Sequence, residues 1–188
     1  MSLFTSSREK HLWFSAFAVF IAIFSTLFVG QPLISIFGNQ DIQAVIFLLG
    51  MILVGVTILL HVLKTKPSKI EIVILLGIVA VYTMFFLRLG IPERSHLIEY
   101  SVLAVFIHKA ITERVNQGKQ ITFPALLSFI VTFLIGVFDE CIQIILPNRV
   151  FDPLDILFNG FVVTMAIGLR VVYSWVRKQM SRLKLKRK

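Results

Sequence analysis

Apolar runs of about 20 residues, each closed by charge, glycine or proline, recur along the whole chain, and this is the length a helix needs to cross a bilayer. The first, 12–29, follows Arg8 and Lys10 and stops at Gly30, Gln31 and Pro32. It is longer than the apolar part of a secretory signal and lacks a small-x-small cleavage pattern. The next two are 42–63, closed by Lys64, Lys66, Pro67 and Lys69, and 70–89, closed around Arg88, Gly90 and Pro92. A fourth, 95–112, is short and carries Glu99, His108 and Lys109, so neighbouring helices must shield it from lipid. The fifth, 120–147, starts apolar and ends polar, and the sixth, 153–176, runs into a basic tail at 177–188. The pattern predicts an all-α integral membrane protein, a bundle of about six transmembrane helices in one domain, 12–176, behind a short segment at 1–11.

Composition agrees: 57% of the 188 residues are hydrophobic, 15% are charged and the mean hydropathy is +0.88, more apolar surface than a soluble domain of this size can hide. The net charge of +9 does not point to nucleic acid, because Arg177, Lys178, Arg182, Lys184, Lys186, Arg187 and Lys188 crowd into the tail. A basic tail of that kind anchors topology and meets lipid headgroups. The lone Cys141 excludes an intrachain disulfide. No GxGxxG, phosphate-binding loop, HExxH or GxSxG motif occurs, and no cofactor is identified.

Basic residues also orient the helices. The N-terminus, the second and fourth loops and the tail hold fifteen of them, whereas the first, third and fifth loops hold only Arg88, Arg94 and Arg149. Lysine and arginine accumulate on the cytoplasmic side. The expectation is therefore N-in and C-in, with the third and fifth loops on the exoplasmic side.

That side gathers the residues with chemistry. His96 and Glu99 are i, i+3 neighbours with Tyr100 beside them, and Glu93 and Arg94 stand just before. In the fifth run Thr132, Gly136, Asp139, Glu140 and Gln143 form one small or polar stripe at helical spacing, and in the sixth Asp152, Asp155 and Asn159 share a face. Asp152 followed by Pro153 is a good helix start and has a sufficient structural explanation. If the fifth helix runs to Pro147, Asp139 lies about 12 Å below the loop, at a depth where an ionised carboxylate must be paired, protonated, hydrated or cation-bound. Six acids here face only three arginines. A shared proton, a divalent cation such as Mg²⁺ or Ca²⁺, or a cationic substrate would offset the excess.

The run Asp139-Glu140-Cys141-Ile142-Gln143, then Pro147-Asn148-Arg149, then Asp155 through Asn159, resembles the signature of the VanZ-like membrane proteins, an Asp-Glu-x-x-Gln run, a Pro-Gly-Arg turn and an Asp-x-x-x-Asn helix start. Glu93, Arg94 and His96, with Tyr100 and Leu103, resemble the family's earlier acidic-basic-His segment, so the likeness covers about 82–172. Asn148 replaces the turn glycine, and Val162 and Ala166 stand where the family often has glycine. The resemblance implies a multi-pass protein of the bacterial cytoplasmic membrane, associated with low-level resistance to the lipoglycopeptide teicoplanin or with cell-envelope maintenance.

It brings no reaction with it, and three readings stand. In the first, an outer-leaflet enzyme uses His96, Glu99, Asp139 and Glu140 as acid–base groups on a lipid-linked envelope substrate, with Arg94, Gln143, Arg149, Asp155 and Asn159 as substrate-binding candidates. In the second, the same acids relay protons or grip a lipid or lipoglycopeptide in a transporter or binding protein. In the third, the cluster only locks helices together, with His96 hydrogen-bonded to Asn159 and Arg149 paired to Asp155 or Glu140. His61 and His108, near cytoplasmic helix ends, read as solvated or dipole-facing.

Overall fold

The computed structural model describes residues 3–37, 67–146 and 151–186, and all the regular structure in them is helical. The helices are α1 (Ser7–Phe37), α2 (Lys69–Arg88), α3 (Ile91–Asn116), α4 (Pro124–Gln143) and α5 (Pro153–Lys186). The run 42–63, with His61, and the turn carrying Arg149 lie outside the described residues.

The helix starts follow from local chemistry. Ser68 accepts the Glu71 N–H while Glu71 reaches back to the Ser68 N–H at 2.7 Å, a reciprocal capping box opening α2. Gly90 precedes α3, with Pro92 in its first turn. Asp152 caps α5 as expected, its Oδ1 accepting the Leu154 N–H at 2.8 Å. The helices depart from the apolar runs mainly at their ends. Helix α3 starts at Ile91, and α5 carries the basic tail on as helix to Lys186. Helix α4 stops at Gln143 instead of Pro147: Ile144 and Ile145 tighten into a turn, with Ile145 N–H bonded to the Ile142 carbonyl, and the coming proline disfavours helix at Leu146.

Helix α3 is the least apolar and the most enclosed. It packs against α1, α4 and α5, while α5 also packs on α4 and touches α2. Its Leu97, Tyr100, Leu103, Ala104, Ile107 and Ile111 form the core with Ala16 and Ile23 of α1 and Val162, Val163, Ala166 and Ile167 of α5. Enclosure is what makes its polar residues tolerable.

The outside identifies the solvent. Helix α4 buries Ser128, Thr132, Gly136, Asp139, Glu140 and Gln143 and exposes Leu126, Leu127, Ile130, Leu134 and Phe138. That is the reverse of a water-soluble amphipathic helix, and it makes physical sense where the surroundings are hydrocarbon. Helix α2 likewise exposes Val73, Leu76, Val81, Met84 and Leu87. By length and composition, α2, α4 and the 153–182 part of α5 are each able to cross a membrane, and α1 contains the apolar run 12–29. The described structure is all-helical, and its long apolar helices are those of a protein suited to a membrane.

Candidate functional site

Three helix ends converge on one polar cluster: the start of α3, the end of α4 and the start of α5. Residues i, i+3 and i+4 share a helix face, so the α3 segment presents His96 and Tyr100 together, and the α4 stripe presents Gly136, Asp139, Glu140 and Gln143. Gly136 allows the close approach. A Cβ there would lie 3.2 Å from Tyr100 Cε1, tighter than ordinary packing, and in contact with Asn159 Cβ at 3.4 Å, so it would touch two neighbouring helices at once.

Each polar side chain in the cluster is held by another. Asn159 Oδ1 can only accept, so at 3.0 Å it takes a hydrogen from His96 Nδ1, as the packing reading of the sequence expects. Tyr100 donates its hydroxyl to Asp139 Oδ2 at 2.8 Å, and Gln143 donates to Glu140 Oε1 at 2.9 Å. Tyr100 and Glu140 are wholly buried, Asp139, Gln143 and Asn159 nearly so, and His96 is half-buried. One ligand atom from each of His96, Asp139 and Glu140 lies within 4.8 Å of the other two, so these three side chains are able to share a proton or a cation. Within this cluster Glu140 Oε2 and Asn159 Nδ2 are among the buried polar atoms that have no hydrogen-bond partner among the described residues, as are Glu9 Oε1 and Arg114 Nε elsewhere in the fold.

The remaining candidates fall around this group. Asp155 is half-buried in the first turn of α5, and its charge interacts with those of His96 and Glu140. Glu99, also half-buried, neighbours Tyr100 in the chain but is not in the three-residue group. Arg94 lays its guanidinium over the Phe86 ring of α2, 5.2 Å from the ring centre. Because α4 ends at Gln143, Asp139 sits about one turn, or 6 Å, from the helix end, half the depth the longer helix implies. Tyr100 is absent from the candidates drawn from sequence, yet it binds Asp139; its position four residues after His96 was the available signal.

A second polar cluster lies at the other end of α3. Glu9, wholly buried, takes hydrogen bonds from the Thr5 N–H at 2.7 Å and the Thr5 hydroxyl at 2.6 Å, and Arg114 Nε lies 3.0 Å from its Oε1. Arg114 also donates to the Leu3 carbonyl at 2.8 Å, and Arg8 stands 3.6 Å from Glu113. Nearby on α3, His108 is buried and bonded to Ser128 at 3.2 Å, which corrects the expectation of a solvated interfacial histidine. The eighteen residue-to-residue steps from His96 to Arg114 rise about 27 Å along the helix, close to the thickness of a hydrocarbon core. Compared with known proteins, the chain matches no protein-family model, no curated protein and no solved structure.

Proposed function

We propose that the chain is a six-span protein of the bacterial cytoplasmic membrane, both termini inside. In this reading the polar cluster is an acid–base site at its exoplasmic end, acting on a lipid-linked or other envelope substrate. The topology draws support from the Glu9–Arg114 contact, which joins the start of α1 to the end of α3, two segments that the charge bias assigns to one side. It requires the run 42–63 to be the second crossing.

The observation that carries a chemical role is Glu140. A cluster serving only to lock helices lowers its energy by pairing every buried polar atom. Glu140 is fully buried with the Asp152 N–H as its backbone partner, and its Oε2 has no well-formed hydrogen bond. Unlike Glu9 with Arg114, it has no lysine or arginine paired with it among the described residues, and it belongs to the His96–Asp139–Glu140 group. A buried carboxylate beside an imidazole is the usual makings of a proton donor and acceptor pair. In this reading Glu140 and His96 exchange protons with substrate, Asp139 and Tyr100 set the local charge, and Arg94, Arg149 and Asp155 meet the polar end of the substrate. The VanZ-like motif at Asp139, Glu140, Gln143, Asp155 and Asn159 adds the biological setting, glycopeptide tolerance or envelope maintenance.

The test is complementation of a deletion strain, read as teicoplanin susceptibility and as the mass-spectrometric profile of envelope lipids. Glu140→Gln and His96→Ala are expected to behave as the deletion while reaching the membrane at wild-type levels. Full complementation by Glu140→Gln would leave the cluster as a packing device.

A further inference from the structure

The geometry points to a divalent transition-metal site formed by His96, Asp139 and Glu140, a proposal that rests on reading this cluster as functional. Three observations carry it. The first is donor convergence: three potential ligands from α3 and α4 lie within 4.8 Å of one another. Donors around a cation with bonds of about 2.1 Å sit about 3–4 Å apart, so a shift of about an ångström per side chain closes the set.

The second is the pattern of supporting hydrogen bonds. Metal-bound histidines and carboxylates are characteristically oriented by a partner on another atom. Among the described residues each of the three is hydrogen-bonded to an uncharged side chain: Asn159 at His96 Nδ1, Tyr100 at Asp139 Oδ2, Gln143 at Glu140 Oε1. The bond to Asn159 has a further consequence. Because Nδ1 carries the hydrogen, the lone pair of the neutral ring is on Nε2, the tautomer a metal requires. At Glu140 the atom left without a partner among the described residues, Oε2, is a strong ligand type and fully buried.

The third is charge. Among the described residues no lysine or arginine forms an ion pair with Glu140, and a dication beside that buried carboxylate offsets a charge that a low-dielectric interior tolerates poorly. One nitrogen and two carboxylate donors suit Mn²⁺, Fe²⁺ or Zn²⁺, whereas Mg²⁺ and Ca²⁺ prefer oxygen alone.

The experiment uses the full chain, purified in detergent with its affinity tag removed, stripped with chelator and titrated with Co²⁺ as a coloured probe. The expected result is a visible absorption that saturates at one Co²⁺ per chain and survives a hundredfold excess of Mg²⁺. His96→Ala and Glu140→Gln should abolish it. Asn159→Ala, which keeps all three ligands, should weaken it by about 10–100-fold, and His108→Ala, at the far end of α3, should leave it unchanged. Variants are compared only where gel filtration and circular dichroism match the wild type. Absence of saturable binding, or equal binding by His96→Ala and wild type, overturns the metal site. If Co²⁺ fails to bind while Glu140→Gln still loses complementation, the acid–base reading survives without the metal. If Co²⁺ binds and Glu140→Gln complements fully, the metal site stands and the enzymatic reading falls.

Discussion

Glu9 and Glu140 are both fully buried glutamates, at opposite ends of α3, and their surroundings differ in kind. Glu9 meets a cation, Arg114, and takes two hydrogen bonds from Thr5. Glu140 meets the neutral Gln143 amide, the Asp152 backbone N–H, a histidine and the carboxylates of Asp139 and Asp155. The first arrangement leaves a nearly neutral group whose only evident role is to fasten the N-terminal segment to α3. Among the described residues the second pairs Glu140 with no lysine or arginine, an arrangement that costs stability and suits a site that receives a proton, a cation or a substrate. A mutation that removes charge should therefore act in opposite directions at the two ends.

The largest effect is expected at the compensated end. Arg114→Met leaves Glu9 buried without its cation, and breaking a buried pair costs about 3–5 kcal/mol. Arg114 is itself 38% exposed, which places the loss at the lower end of that range. Thermal unfolding in detergent should show it, and adding Glu9→Gln to Arg114→Met should recover much of it. An unchanged midpoint for Arg114→Met would mean that the pair is not a fastening.

Next in size is Gly136→Val. The added branches meet Tyr100 and Asn159 together, and overpacking of this kind costs about 1–3 kcal/mol. It should also separate the three elements that form the cluster and so remove complementation. Gly136→Ala, which needs a shift of only a few tenths of an ångström, is the graded control; equal behaviour of the two variants would remove the packing argument.

At the uncompensated end the sign reverses. In the presence of chelator, Glu140→Gln should raise the unfolding midpoint through a gain of about 1 kcal/mol in stability, because a buried carboxylate paired with no lysine or arginine among the described residues is replaced by a neutral amide. Adding Mn²⁺ should then reverse the ranking. The wild type gains about 2.7 kcal/mol at a hundred times the dissociation constant and the variant gains nothing. A Glu140→Gln protein less stable than wild type in chelator would place Glu140 among the fastenings with Glu9.

Much of the second end was legible in the chain. The stripe Thr132, Gly136, Asp139, Glu140, Gln143 is the face α4 buries, because a membrane helix that must hide polar groups shows them at a helical period against an apolar background. The Asp152 cap follows from the Asp–Pro pair that opens α5, and the His96–Asn159 bond is the one the packing reading names. The first end was not legible. Glu9 and Arg114 stand 105 positions apart, each beside other charges in what reads as a solvated flank, and no periodicity marks a contact made by helix packing alone. The end of α4 was misplaced for a related reason: Ile144, Ile145 and Leu146 are as apolar as any helical residue, and only the coming proline hints that the helix stops earlier.

The smallest effect, and the one that isolates Glu9, is in its titration. Glu9 lies ahead of the apolar run that begins at Leu12. Burial alone would raise its pKa, but the two Thr5 hydrogen bonds, the Arg114 charge and the Trp13 side chain outweigh it and hold the carboxyl below its ordinary value. A group whose pKa is lower folded than unfolded binds fewer protons in the native state, so its stabilisation is complete above the unfolded value, about 4.3, and is lost as pH falls through the folded one. Between pH 7 and 5 the wild type should therefore show no loss traceable to Glu9, and below pH 4 its unfolding midpoint should fall more steeply than that of Glu9→Gln, which cannot titrate. The difference between the two acid limbs belongs to Glu9 alone, since the His96–Asp139–Glu140 cluster is common to both proteins. Parallel curves down to pH 3 would mean that Glu9 is already protonated in the fold, and the contrast between a compensated and an uncompensated end would lose its first half.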